Sequence, residues 1–98
     1  MPHLDVYRTA DGHVLLDCQA DFLAHLNSRL VVPLLPEQDT QQVSERLNPR
    51  LMIEGNAMIM KTHFTSAVPV RELHTRIASL TDQAYVVQAA LDMLISGY

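Results

Sequence analysis

The residues best equipped for chemistry in this chain are five histidines, one cysteine and scattered carboxylates. Metal ions need ligands that converge, which on a helix face means a spacing of three or four. His3, His13, His25, His63 and His74 never meet that spacing, and Cys18 has no second cysteine to pair with. No metal site and no cofactor is therefore expected, and each histidine reads as a polar surface or loop residue. A thiol turns nucleophilic where a nearby cation favours the thiolate. No basic residue adjoins Cys18, and it falls on the inner face of a strand pattern, so it reads as a buried, inert thiol. Asp5, Asp11, Asp17, Glu37 and Asp39 read as solvated strand or loop carboxylates, with no pair marked out as acid and base. Gly-rich phosphate loops and a Gly-x-Ser-x-Gly turn are absent from the sequence. The pattern argues against an enzyme, and no catalytic residue is assigned.

Composition narrows the remaining classes. The chain has 98 residues, 48 % apolar and 18 % charged, which suits one small folded domain spanning residues 1–98. There is no Trp, so the core rests on aliphatic residues and on methionines such as Met58 and Met60. The formal net charge is −4, and the seven basic residues are scattered from Arg8 to Arg76. Tight non-specific nucleic-acid binding needs cations gathered on one surface. None are gathered here, so no direct nucleic-acid binding is expected, and a basic partner segment suits the chain better. A lone cysteine fits a reducing compartment. The start of the chain has no basic stretch leading into an apolar run, and the longest apolar run, 30–35, is too short to span a bilayer. The expectation is a cytoplasmic protein with no membrane segment.

The elements that must position any site read as strands followed by a helix. Residues 3–8 alternate, Asp11-Gly12 marks a hairpin, and 13–20 put Val14, Leu16, Cys18 and Ala20 on one face. Residues 21–28 form a loop carrying Phe22 and Leu23. The continuous apolar run 29–35 predicts a central strand, with Pro33 at a bulge or strand end because it lacks an N–H. Residues 36–45 read as a polar loop. Strands are expected over 50–54 and 57–62, joined by a Gly55-Asn56 turn, and 67–70 as a short extended piece. Residues 71–80 remain undetermined.

The last segment is the clearest helix. Ser79 with Asp82 three residues on resembles a capping box, with Thr81 the alternative cap. From Thr81 onward the polar residues Tyr85, Gln88 and Asp92 continue one narrow stripe at spacings of four, three and four. Nearly everything else up to Ile95 is apolar, far more than the usual stripe of about 100° on a surface helix. One face can pack on the chain's own sheet. The rest calls for a second subunit, unless the sheet alone wraps the helix.

Four blocks resemble the CcdB family of toxins. Arg29-Leu30-Val31-Val32-Pro33-Leu34 looks like the family's Arg-aliphatic-Val-Ile-Pro-Leu strand, and Asp17-Cys18-Gln19-Ala20-Asp21 like its Asp-Val-Gln-Ser-Asp. Ser66-Ala67-Val68-Pro69-Val70 is similar to its Ser-Val-Pro-Val, with one extra Ala, and Ala90 to Tyr98 resembles its C-terminal helix. The resemblance implies a mainly β (α+β) fold: an SH3-like barrel of antiparallel strands with a C-terminal α-helix, assembled as a homodimer. It implies binding to the GyrA subunit of DNA gyrase, trapping of the enzyme on cut DNA, and neutralisation by a cognate CcdA-like antitoxin. Carried over by position, the gyrase-binding residues are Phe22, Leu23, Asp92, Ile95, Ser96, Gly97 and Tyr98, and the dimer interface includes Leu91, Leu94 and Ile95. Ser96 stands where the family has a Trp or a small hydroxyl residue, and Tyr98 where it has a terminal Ile. Serine cannot stack on a guanidinium as Trp does.

Three functions stay open on these grounds. The first is a gyrase poison acting by binding, whose antitoxin also supplies the DNA contact for autoregulation. The second is a MazF-type endoribonuclease on the same barrel, against which the acidic balance and scattered Arg residues count. The third is a decayed family member that binds antitoxin but not gyrase, kept open by Ser96 and Tyr98.

Overall fold

The computed structural model describes residues 4–97. His3, at the head of the first expected strand, and Tyr98 lie outside the described residues. Among those described, seven strands pair antiparallel: β1 (Asp5–Arg8), β2 (Val14–Asp17), β3 (Ser28–Pro36), β4 (Arg50–Ile53), β5 (Asn56–Met60), β6 (Ser66–Pro69) and β7 (Thr75–Ser79). The helix α1 spans Ala84–Ser96. The sheet runs β4-β5-β3-β2-β1-β7, with β6 also on β3, and curves into a half barrel. This is the mainly β barrel with one C-terminal helix that the resemblance implied.

β3 is the pivot. Its uninterrupted aliphatic run lets Val32 and Leu34 enter the core while Val31 is buried as well. One edge pairs with β2 from Leu34↔Val14 to Val31↔Asp17. The other edge carries β6 against residues 28–31 and β5 against residues 34–36. Pro33 therefore sits inside the strand, paired in register with Leu15, and not at the bulge or strand end expected. Its carbonyl accepts from Lys61 N–H at 2.9 Å. A residue's N and C=O point to the same edge, so the missing N–H of Pro33 faces the place where the neighbour changes from β6 to β5.

Both hairpins form, with altered turns. Ala10-Asp11-Gly12 is a three-residue loop closed by Gly12 N–H to Thr9 O (3.0 Å) and Thr9 N–H to His13 O (2.9 Å). Gly12 alone in this loop takes a positive φ, +89°, as a type I turn with a bulged glycine requires. In the β4–β5 hairpin Ile53 pairs with Asn56, so the turn residues are Glu54-Gly55, one earlier than expected. Both have positive φ, +52° and +79°, the mark of a type I′ turn. Glycine takes the second place, and Glu54 tolerates the left-handed conformation in the first.

Other boundaries moved for local reasons. β2 stops at Asp17 instead of running to Ala20, because the Asp17 side chain turns back to accept the Gln19 N–H at 3.0 Å. The undetermined 71–80 segment contains β7, which pairs with β1 across a bulge between Val6 and Tyr7. A 3-10 turn over Thr81–Gln83 leads into α1, and neither Leu80 nor Gln83 caps by its side chain. The core joins Val6, Leu16, Val32, Leu34, Leu51 and Met60 to Val87 and Ala90 of the helix. Met58 and Met60 are buried in it, as their strand positions predict.

Candidate partner-binding surface

The β2–β3 connection starts from a strand end that three polar side chains stitch together. Asp17 and Arg29 lie on one face of the β2–β3 pair, two residues off direct register, within diagonal reach. Arg29 Nη1 donates to Asp17 Oδ2 at 3.0 Å, while Asp17 Oδ1 accepts from Gln19 N–H. Asp17 is thus a buried, paired carboxylate and not the solvated one expected. The contact is single-pronged, and Arg29 Nε is buried without a hydrogen-bond partner. Gln19 completes the stitching. Its Nε2 donates to Leu23 O (3.0 Å) and Ser28 O (3.1 Å), and its Oε1 accepts from Leu30 N–H (3.1 Å).

The loop so held is a 3-10 turn over Asp21–Leu23, followed by bends to Ser28. Successive N–H groups close it: Leu23 to Ala20 O, Ala24 to Asp21 O and Leu26 to Leu23 O. The turn presents Phe22 at 80 % exposure, with Leu26 exposed as well, while Leu23 is half-buried beneath. Val70 N–H bonds to Asn27 O at 2.8 Å and ties the loop to the end of β6.

The second candidate region is the end of α1. Val87 and Ala90 are fully buried, and Leu91 packs against the chain's own core. The stripe Tyr85, Gln88 and Asp92 is exposed, with Gln88 Nε2 donating to Asp92 Oδ1 at 3.0 Å. Past Met93 the helix leaves the core: Leu94 is exposed, Ile95 is 78 % exposed, and Ser96 and Gly97 are exposed. Gly97 caps the helix at φ +82°, its N–H bonded to Met93 O at 2.9 Å. Asp92, Leu94, Ile95, Ser96 and Gly97 are therefore all exposed in the last turns of the chain's helix, on more than one side of it, whereas Leu91 packs on the core.

Elsewhere the polar groups are structural. Burial, and then the neighbouring Asp17 charge, push the Cys18 thiol up to about 12, so it stays protonated at neutral pH. Burial, helped by Asp5 and Asp17, also raises Tyr7 above its ordinary value. Asp5, half-buried, pairs with Arg76 at 3.0 Å, and Glu37 pairs with Arg50 at 2.7 Å while both of those side chains stay exposed to solvent. Buried Asn48 receives Val43 N–H and donates to Met60 O, and buried Lys61 donates to Thr40 Oγ1 and Gln41 O. Together they fasten the polar 36–48 loop to β5. His63 is exposed, against Asn48 and the Phe64 ring. A cleft of about 460 Å³ between the two hairpin turns and the end of β3 shares no residue with either candidate region. Among the described residues no three His, Cys, Asp or Glu are placed to hold a metal ion, and no helix is long and apolar enough to cross a membrane.

The Asp17–Arg29–Gln19 stitching escaped the sequence reading. Its signal was present, since Asp17 and Gln19 lie at the end of one strand and Arg29 at the start of the next. The diagonal only becomes visible once the β2–β3 register is known.

The described residues thus form a curved antiparallel half barrel that displays apolar side chains on a tied turn and at a helix end, surfaces a partner could cover. Comparison with protein families makes this specific: the model described as "CcdB protein" matches residues 3–97. The chain belongs to the CcdB family. That membership supports a toxin–antitoxin, gyrase-poison role, with gyrase and an antitoxin as partners in general. A search of curated proteins finds no match.

Proposed function

We propose that this protein is the toxin of a toxin–antitoxin pair, which binds the GyrA subunit and traps DNA gyrase on cleaved DNA. The toxin performs no catalysis itself, acts in the cytoplasm as a homodimer, and is neutralised by a cognate CcdA-like antitoxin that also brings the DNA contact needed for autoregulation. The observation that carries this reading is that the family match runs through residue 97, across the exposed helix end. Phe22, Leu23, Asp92, Ile95, Ser96, Gly97 and Tyr98 form the gyrase-facing set. Leu94 and Ile95, with the part of half-buried Leu91 that its own core leaves uncovered, form the dimer interface. A net charge of −4 favours an antitoxin segment of basic character.

A gyrase cleavage assay tests the proposal. Purified protein is mixed with gyrase, ATP and supercoiled plasmid, beside a variant that lacks residues 96–98. Linear DNA trapped by the full chain and lost with the truncation supports the poison and places its contact at the helix end. Absence of trapped DNA at micromolar protein removes gyrase as the target. Growth arrest on expression without antitoxin would then point to another target, and unimpaired growth to a toxin that has lost its action.

A further inference from the structure

Gln19 devotes its whole amide to the backbone of the β2–β3 connection. Both Nε2 protons go to carbonyls, of Leu23 where the 3-10 turn ends and of Ser28 where β3 begins, and Oε1 takes the Leu30 N–H. The fold alone gives little reason for this outlay. The loop's stems are already joined by the Asp17–Arg29 pair and by Cys18 N–H to Leu30 O at 2.9 Å, and its far side by Val70 N–H to Asn27 O. The bond to Ser28 lies at the surface, where water could serve that carbonyl. What the amide holds still is a turn whose leading side chain, Phe22, is 80 % exposed and contributes little apolar burial to its own core. An exposed aromatic on a fixed turn is valuable to a partner, because a preordered anchor loses less freedom on docking.

We propose that Gln19 is a positioning residue that fixes the Phe22 turn in its gyrase-docking conformation. This rests on the reading of Phe22 as a gyrase contact. The amide acts through Phe22 and touches no partner itself.

The test uses Gln19→Glu, which keeps the side chain's shape and the acceptor for Leu30 N–H but removes both donors. Gln38→Glu, at an exposed position outside both candidate regions, controls for the added charge. Amide hydrogen exchange is followed over residues 21–27, and DNA trapping is titrated with gyrase holoenzyme, ATP and supercoiled plasmid. Gln19→Glu is expected to speed exchange in 21–27 alone and to need about tenfold more protein for equal trapping, the scale of lost hydrogen bonds. The discriminating variant is the double change Gln19→Glu with Phe22→Ala. If Gln19 works through Phe22, the double variant traps no worse than Phe22→Ala alone. Losses that multiply, or trapping unchanged in Gln19→Glu despite faster exchange, would overturn the positioning role and leave the gyrase reading intact. Wild type that traps no DNA would overturn both. If exchange rises throughout Gln19→Glu, Gln19→Met, which removes all three bonds without adding charge, is measured in its place.

Discussion

The two candidate contact regions, the Phe22 turn and the end of α1, are built in opposite ways. The Phe22 turn is enclosed at both ends, by Asp17, Arg29 and Gln19 on one side and by Val70 N–H on the other. Past the contact of Met93 with Ser44 Oγ (3.9 Å), α1 runs to Ser96 on its own helical hydrogen bonds and the Gly97 cap, with Leu94 and Ile95 exposed. Both carry an aromatic or aliphatic group near 80 % exposed, Phe22 and Ile95. The turn therefore meets a partner with both of its ends tied to the barrel, whereas the helix end meets it on helical hydrogen bonds alone, the kind that fray first at a terminus. Substitutions in the turn's supports should alter the fold or the presentation, and substitutions at the helix end should alter affinity alone.

The largest effect tests the support. Arg29→Met removes the cation from buried Asp17 and leaves a carboxylate unpaired in the protein interior. Breaking such a pair costs about 3 kcal/mol, which lowers Tm by roughly 15 °C in a domain of this size. Adding Asp17→Asn should recover much of the loss, since Asn still accepts the Gln19 N–H and carries no charge. Thermal unfolding of the three variants measures this. An unchanged Tm in Arg29→Met would mean that the pair does not hold the turn and that the contrast between the regions is wrong.

The next effect sets the two anchors side by side. Phe22→Ala and Ile95→Ala each remove an exposed side chain, so each should leave Tm within about 1 °C. In binding to gyrase, loss of a central aromatic anchor costs about 2 kcal/mol, or thirtyfold. The smaller Ile95, with less apolar area to bury, should cost about 1 kcal/mol. Surface plasmon resonance with immobilised gyrase reads both. A larger loss at Ile95 than at Phe22 would reverse the ranking and make the helix end the principal anchor.

This contrast was only half legible in the sequence. The helix end was readable, because Tyr85, Gln88 and Asp92 mark a polar stripe and Gly97 follows the last helical residue. The β3 run, the first hairpin and the buried methionines were readable for the same reason: burial imposes a period that composition displays. β7 was not, since Thr75-Arg76-Ile77-Ala78-Ser79 offers one large apolar residue in five, and pairing with β1 defines it as a strand. The turn shifted from Gly55-Asn56 to Glu54-Gly55 because register, not residue preference, chose it. The supports of the Phe22 turn were hidden for the deeper reason that an Asp, a Gln and an Arg belong together only after β2 and β3 have been laid side by side.

The smallest expected effect sharpens the comparison from the free side. Gly97 adopts φ +82°, a conformation that L side chains rarely take, and a Cβ built there would meet nothing within 4 Å. Gly97→Ala is therefore strained by conformation alone and not by collision, at about 1 kcal/mol. Because the cap lies past the last core contact, the chain can relieve this strain by unwinding its final residues, and Tm should fall by no more than about 2 °C. The direction in which the terminal residues leave the helix would change instead. DNA trapping should weaken severalfold while the exchange pattern of residues 21–27 remains that of wild type. If Gly97→Ala traps DNA as well as wild type does, the exit direction carries no information for gyrase, and the tail binds by accommodating itself to whatever surface the fixed Phe22 turn has already found.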